Sequence, residues 1–183
     1  MTLKALERLL CADKRSIDVL ETVRATGPKG AYVAAGFVRN RYWDSLYKPA
    51  PKVPEGDVDV VYFDSIYNLK TRDMAYEASL KLVLPGVDWQ VRNQARMHSF
   101  GDYEPFSGVE HALRHWSETA TAVGVRLSPT GSFEWLAPFG FDDLFGHTLC
   151  ITPAMKARDP EGYDARIDKK KWLERWPNLK VIR

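Results

Sequence analysis

Only two cysteines occur in the chain, Cys11 and Cys150, far apart and outside any Cys-x-x-Cys pair. That excludes a zinc ribbon and argues against a disulfide framework. No apolar run approaches the roughly 20 residues of a membrane-spanning helix. The opening stretch, MTLKALERLLCADKRSIDVL, is too charged for a secretory signal. Neither charge sign dominates: 26 Lys+Arg stand against 24 Asp+Glu, a net of +2. Such a balance argues against a nucleic-acid coat or a polybasic membrane binder and leaves room for a local basic cleft. There is no internal repeat and no low-complexity tract. The expectation is a soluble, reduced, cytoplasmic protein with no membrane partner. What is present is 183 residues, 45% hydrophobic and 12% aromatic, enough for one domain to bury a core unaided by disulfides.

Hydrophobic periodicity predicts the elements. Up to about Ala25 the chain reads as helix, with Leu3, Leu6, Leu9 and Leu10, then Ile17, Leu20 and Val23, at helical spacing. Asp13 is placed as a cap between two short helices, and Thr26-Gly27-Pro28 as the stop. Cys11 falls in the apolar stripe and is expected to be buried and inert. Residues 31–35 suit a buried strand, 37–46 a helix opening at Gly36, and 48–56, with three prolines, a loop. Residues 57–63 form the clearest strand. An amphipathic helix is expected over 69–84, a third strand over 88–92 and a helix start over 93–98. Two strands over 119–127 and 132–137 flank a turn at 128–131, and one basic helix over 159–176 closes the chain. Strands alternating with helices and then a hairpin predict an α/β fold with a mixed sheet. It is read as a single domain, with an N-terminal helical segment (1–28), an α/β core (29–150) and a C-terminal helical segment (151–183).

Two features carry chemistry. Gly36, between a strand and a helix, lets a ligand approach the backbone closely. The helix start beyond it offers free N–H groups and a positive dipole end to phosphate oxygens, and the fork of Arg39 suits the same phosphates. Asp57 and Asp59 project to one side of the next strand. Two carboxylates so close repel unless a cation lies between them, and hard oxygen ligands point to Mg²⁺ or Mn²⁺ rather than zinc. Singly, each feature is more often structural: a plain turn, or two solvated acids. Together and in this order they favour metal-assisted phosphoryl or nucleotidyl transfer.

Gly36-Phe-Val-Arg-Asn40 followed by Gly56-Asp-Val-Asp-Val-Val-Tyr-Phe-Asp64 resembles the DNA polymerase β-type nucleotidyltransferase superfamily. The Gly-x-Val-Arg segment is similar to that of tRNA CCA-adding enzymes and poly(A) polymerases. Across most of its length the chain resembles a group of small bacterial nucleotidyltransferase-like proteins. The resemblance runs through Trp89-Gln-Val-Arg-Asn-Gln-Ala-Arg-Met-His98, Glu118–Leu127, Ala137–Phe145 and Trp172–Pro177. It implies a polymerase β-like core flanked by N- and C-terminal helices. Gly36 would shape the turn that holds the phosphates of a nucleoside triphosphate (NTP), and Asp57 and Asp59 would hold Mg²⁺. A nucleoside monophosphate would pass to an acceptor hydroxyl, with pyrophosphate leaving. Two departures stand out. Ala35 and Phe37 flank Gly36 where a second glycine or a serine is usual, and a third carboxylate is not obvious. Asp88 is the candidate for it and Glu118 the fallback, unless Gln90 occupies the active face instead.

Arg92 and Arg96 are weighed as triphosphate ligands and Asn93 as a ribose or base ligand, against an ordinary hydrogen-bonded helix start. His111 and His115 lie four apart but lack the partners of a zinc site. Asp142-Asp143 suit a helix cap and Asp64 a cap or turn. Trp172 and Trp176, four apart, read as core packing rather than RNA stacking. The acceptor is expected to be a small molecule or protein hydroxyl, with RNA second. Two alternatives stay open: a non-catalytic nucleotide-binding module on the same fold, and a toxin-like enzyme modifying tRNA ends.

Overall fold

The computed structural model describes residues 2–51 and 56–183, so the expected loop at 48–56 lies partly outside the described residues. Helices α1 (Leu3–Ala12) and α2 (Lys14–Thr26) meet at Asp13. Its carboxylate accepts from the Arg15 N–H at 3.2 Å and the Ser16 hydroxyl at 2.5 Å, capping α2 as anticipated. Leu6 and Leu10 are buried, but Cys11 is exposed, which corrects the sequence reading. Each helical residue turns about 100° from the last, so a position directly after Leu10 leaves the buried stripe.

The chain continues through β1 (Tyr32–Ala34), α3 (Gly36–Asp44), β2 (Val58–Tyr62), α4 (Lys70–Val83) and β3 (Trp89–Asn93). A 3₁₀ helix (Gln94–Phe100), α5 (Val109–Leu113), β4 (Gly124–Leu127) and β5 (Phe133–Leu136) follow. The five strands form one mixed sheet in the order β3-β2-β1-β4-β5. Only β2 and β3, joined through α4, are parallel. Val58 and Val60 bury their side chains on the face opposite Asp59, the alternation that made β2 legible. β3 is an edge strand, and α4 covers its unpaired donors. Glu77 accepts from the Val91 N–H at 2.9 Å and Asp73 from the Asn93 N–H at 3.3 Å. Those carboxylates, four apart on one helix face, blunt the edge.

Residues 119–123 are not strand. The N–H groups of Thr121 and Ala122 both donate to the Glu118 carbonyl, so the chain turns before entering β4. Glu118 forms an isolated bridge with Ile151 and is gripped by Arg166. Those tertiary ties override the local β pattern.

The remainder comprises α6 (Asp142–Phe145), β6 (Thr148–Cys150), α7 (Pro153–Arg158), α8 (Pro160–Lys170), α9 (Trp172–Arg175) and β7 (Lys180–Ile182). β6 and β7 pair in parallel as a second, two-stranded sheet absent from the sequence reading. Asp142 and Asp143 sit in the first turn of α6 without capping it by side chain; Asp143 instead accepts from the Thr119 hydroxyl at 2.6 Å. The single helix expected over 159–176 is broken at Lys171, which takes φ 52° and ψ 36°. The break lets Tyr163 and Ile167 of α8 and Trp172 and Trp176 beyond it all reach the core. α9 is tied to the end of α3. Asp44 receives two bonds from the Arg175 guanidinium, at 3.0 and 2.5 Å, and one from the Trp176 indole at 2.9 Å. No described helix is long and apolar enough to cross a membrane.

Candidate functional site

β1 ends at Ala34, Ala35 makes the bend and α3 opens at Gly36. The bend is tight: the Ala35 N–H donates to Val123 O at 3.2 Å, and Ala35 O accepts from the Arg39 N–H at 3.3 Å. Ala35 lies at φ 56° and ψ −124°, a conformation suited to glycine. A non-glycine residue held there stores about 1–3 kcal/mol of strain. Ala35→Gly relieves it but costs about 0.5–1 kcal/mol through greater freedom of the unfolded chain. The expected net is a gain of about 1 kcal/mol and a melting point about 2–4 °C higher. A thermal melt decides, and a lower melting point contradicts the strain. At Gly36 itself a Cβ would come within 3.1 Å of the Asn40 amide, so a side chain there would crowd the start of α3.

The β1–β2 register sets Asp59 opposite Ala34, one residue from this bend. Asp57 lies two positions earlier, just before β2 begins, and lines the same cleft. Asp57 is exposed and Asp59 half-buried. Burial first, and the neighbouring Asp57 second, push the Asp59 carboxyl up to about 6, against the pull of Arg39, Lys170 and Arg92. Between about 4 and about 6 the folded chain thus keeps a proton that the unfolded chain releases. In the metal-free protein the Asp59 contribution to stability declines as pH rises through that window, and stays lowered above it. Carboxyl chemical shifts followed with pH should place the Asp59 titration near 6. Asp57→Asn should move it down, because a like charge is removed. A midpoint in the ordinary aspartate range would contradict the crowding.

Gly36, Arg39, Asp57 and Asp59 share one cleft of about 660 Å³. The Arg39 guanidinium is buried, lies 4.6 Å from the Trp172 ring centroid, and donates to Thr121 Oγ1 and, at 3.2 and 3.0 Å, to Asn40 Oδ1. Burial pulls it down to about 10, so it stays charged at neutral pH. It is a fixed cation in the cleft wall, with part of its hydrogen-bonding capacity spent on its own chain. The lining also includes Arg166, Lys170, Lys171 and Arg175 from the C-terminal segment. Sequence reasoning left these out of the site. The signal was the basic run ending at Lys171 beside Trp172. The tryptophans do pack in the core, 4% and 0% exposed, and the lysines border the cleft.

Other candidates lie elsewhere. Asp88 is exposed just before β3; its carbonyl accepts from the Val58 N–H at 2.8 Å, and it does not line the cleft. The β2–β3 register puts Gln90, not an acid, beside Asp59. Arg92 is held by Glu77 at 2.6 Å and Gln90 at 2.9 Å. Asn93 is buried, its amide accepting from the Asp64 N–H at 3.0 Å and donating to Asp64 O at 2.8 Å. Arg96 is engaged with Asp73. Asp64 itself shapes the turn after β2, accepting from the Ile66 and Tyr67 N–H groups. Glu118 is fully buried behind the cleft against Arg166 at 2.6 Å. Besides the pair, the one acid among the described residues lining the cleft is Glu174. Among the described residues no cluster of three or more His, Cys, Asp or Glu could hold a metal. The His111 ring meets Phe106 edge-on and the His115 ring lies tilted against it instead. Two adjacent carboxylates still fit a Mg²⁺ site, since that ion is commonly held by one or two carboxylates with phosphate oxygens and water completing its shell.

No curated protein matches the chain. A protein whose NMR structure reveals a CCA-adding enzyme head domain is 29% identical, with a TM-score of 0.82 over 99% of this chain and 95% of that one. A CCA-adding enzyme in complex with CTP is 16% identical, with a TM-score of 0.61 over 97% of this chain and 43% of that one. The Thermotoga maritima CCA-adding enzyme complexed with tRNA is also 16% identical, with a TM-score of 0.59 over 97% and 42%. This chain thus spans less than half the length of the last two, which share its fold. The mixed sheet with its flanking helices is the CCA-adding enzyme head fold. A family model described as nucleotidyltransferase matches residues 21–181. The chain belongs to that nucleotidyltransferase family.

Proposed function

We propose that the chain transfers a nucleoside monophosphate from an NTP to an acceptor hydroxyl in a metal-dependent reaction. The observation that carries this reading is the presentation of Asp59 on β2, with Asp57 just before the strand, beside the Gly36 bend, in a cleft walled by cations. Asp57 and Asp59 would hold a divalent cation, Mg²⁺ or Mn²⁺, which when bound neutralises phosphate charge and activates the acceptor oxygen. The bend and the first N–H groups of α3 receive phosphate oxygens. Arg39 and Lys170 offset the charge that accumulates on the departing pyrophosphate. The acceptor hydroxyl gives its proton to water, and its oxygen bonds to the α-phosphorus as the bond to the bridging oxygen of the β-phosphate breaks and pyrophosphate leaves. Catalysis on this reading is positioning and charge neutralisation, with no covalent intermediate on the protein. Asp88 and Glu118 are assigned no part in it.

The acceptor is proposed to be a small molecule or a protein hydroxyl. An RNA end is the second reading, favoured by the likeness to a CCA-adding enzyme head domain. The test is incubation of the purified chain with each α-labelled NTP and Mg²⁺ or Mn²⁺, in the presence of total RNA, a protein extract or a small-molecule extract. Label should move into one fraction and stay put when EDTA is added. Label in RNA selects the second reading. Binding of NTP without transfer in every fraction overturns the proposal in favour of a non-catalytic nucleotide-binding module.

A further inference from the structure

A second cavity, of about 220 Å³, adjoins the cleft and shares Thr121 and Arg166 with it. Two guanidinium groups border this cavity. That of Arg166 stands at the junction of the two spaces. Its Nε donates at 2.6 Å to Glu118, which lines the cavity, and its Cζ lies 5.4 Å from the ring centroid of Trp172, which lines the cleft. The bond to Glu118 is its only hydrogen bond among the described residues, so both Nη groups are left for a ligand. They are reachable, since the side chain is 37% exposed. The second group belongs to Arg158, an exposed residue at the end of α7. Its Cζ lies 5.6 Å from the ring centroid of Tyr103 in the cavity wall. Its one hydrogen bond among the described residues goes to Met155 Sδ at 3.5 Å, a weak acceptor, and no described carboxylate pairs with it.

Charge and shape select the occupant. Arg158 and Arg166 outweigh the single carboxylate of Glu118 in the lining, which repels a cation and attracts an anion. Planar N–H forks match the paired oxygens of carboxylates and phosphates. The volume lies below the roughly 300–1,000 Å³ of sites for drug-sized ligands, so the cavity takes a small molecule and not a whole nucleotide. Phe106, His115 and Trp116 give a carbon skeleton apolar surface to rest on. We propose that this cavity seats the acceptor, a small hydroxyl compound bearing an oxyanion that Arg158 and Arg166 grip while the hydroxyl points to the cleft. The oxyanion has two sources, a phosphate ester or a carboxylate. In the transfer, the acceptor oxygen bonds to the α-phosphorus, pyrophosphate leaves and the hydroxyl proton goes to water. The proposal deepens the transfer reading and rests on it only for calling the bound anion an acceptor; the anion site itself stands on the two free guanidinium groups.

The test is calorimetric titration of the full chain with ribose 5-phosphate and lactate, and with ribose and choline as neutral and cationic hydroxyl compounds. Each titration is run with and without a saturating non-hydrolysable NTP and Mg²⁺. At least one of the two anions should bind about tenfold or more tightly than ribose and choline, the effect of one charge-assisted hydrogen bond. The tighter of the two identifies the oxyanion as phosphate or carboxylate. Binding should survive the NTP analogue, because the cleft and the cavity are separate spaces. Arg158→Gln should cost about tenfold in anion affinity with the circular dichroism spectrum unchanged. Should it unfold, Arg158→Lys, which keeps the charge and loses the fork, is measured in its place. Arg166→Gln combined with Glu118→Gln, which leaves no buried carboxylate unpaired, should cost as much. Four compounds bound alike, none bound at millimolar concentration, anions expelled by the NTP analogue, or an affinity that survives in folded Arg158→Gln each overturns the site. Displacement of the bound anion by a short RNA whose end then takes the label overturns the small acceptor in favour of RNA. Arg158-dependent anion binding by a chain that transfers no nucleotide keeps the site and sinks the transfer reading. Metal-dependent transfer untouched by Arg158→Gln does the reverse.

Discussion

Asp59→Asn is expected to lower nucleotidyl transfer by at least about 10³-fold, while the chain stays folded and melts at or above its original temperature at neutral pH. The two halves of this result come from one cause. Asp59 sits opposite Ala34, beside the phosphate-binding bend, with Asp57 as its neighbour along the strand. Its carboxyl is raised to about 6 by burial and by Asp57, so at neutral pH the empty site holds a charge that its surroundings disfavour. Asparagine keeps the shape and removes the charge, so the metal-free fold loses a repulsion and no packing. The same change removes half of the carboxylate pair, and several kcal/mol of charge stabilisation at the reacting phosphate disappear with it. A role confined to folding would give the opposite pattern, with lost stability and activity surviving in the folded fraction. The assay is initial rate against NTP concentration at saturating Mg²⁺, alongside a thermal melt. A variant within tenfold of the parent rate ends the assignment of Asp59 to the reaction.

Much of that site is local in the chain, and what is local was legible. The β2 alternation shows its two faces directly, with Asp57 and Asp59 on one side and Val58 and Val60 on the other. The Asp13 cap and the Gly36 helix start depend on neighbours within a few residues. What escaped depends on distant partners. The turn at 119–123 exists because Glu118 is held by Arg166, 48 positions along the chain. β6 and β7 are three residues each and form a sheet only because they meet. The break at Lys171 answers to a core that must receive Trp172 and Trp176 together. Because residues 159–176 read as one basic helix packed on the core, the cations that this segment adds to the cleft do not stand out in the sequence. Asn93 and Arg92 show the converse: polar residues dense enough to suggest a ligand also hold their own chain, at Asp64, Glu77 and Gln90. Composition alone does not distinguish a hydrogen bond made within the chain from one reserved for a substrate.

The C-terminal wall of the cleft rests on Trp43, and Trp43→Ala is expected to be the most destabilising single change in the chain. Its indole is fully buried, donates to Leu144 O at 2.9 Å, and meets the Trp176 ring edge-on with centroids 4.9 Å apart and the His147 ring at 5.3 Å. Truncation removes the largest core side chain type, opens a cavity and leaves the Leu144 carbonyl without its donor. Changes of this kind cost about 3–5 kcal/mol. For a domain of this size that is a fall of about 6–20 °C in melting temperature. The position lies one residue before Asp44, which holds Arg175 and Trp176, so the loss should reach α9 and the cleft wall it builds. Trp43→Phe, which keeps a ring against Trp176 while losing the indole donor and part of the ring volume, should fall by less than Trp43→Ala does. Leu173→Ala, on the same helix as Trp172 but 45% exposed, should shift stability by less than about 0.5 kcal/mol. Guanidinium unfolding followed by tryptophan fluorescence ranks the three. If Leu173→Ala costs as much as Trp43→Ala, the wall is not held from α3, and the joint between Asp44 and Arg175 is incidental to the cleft.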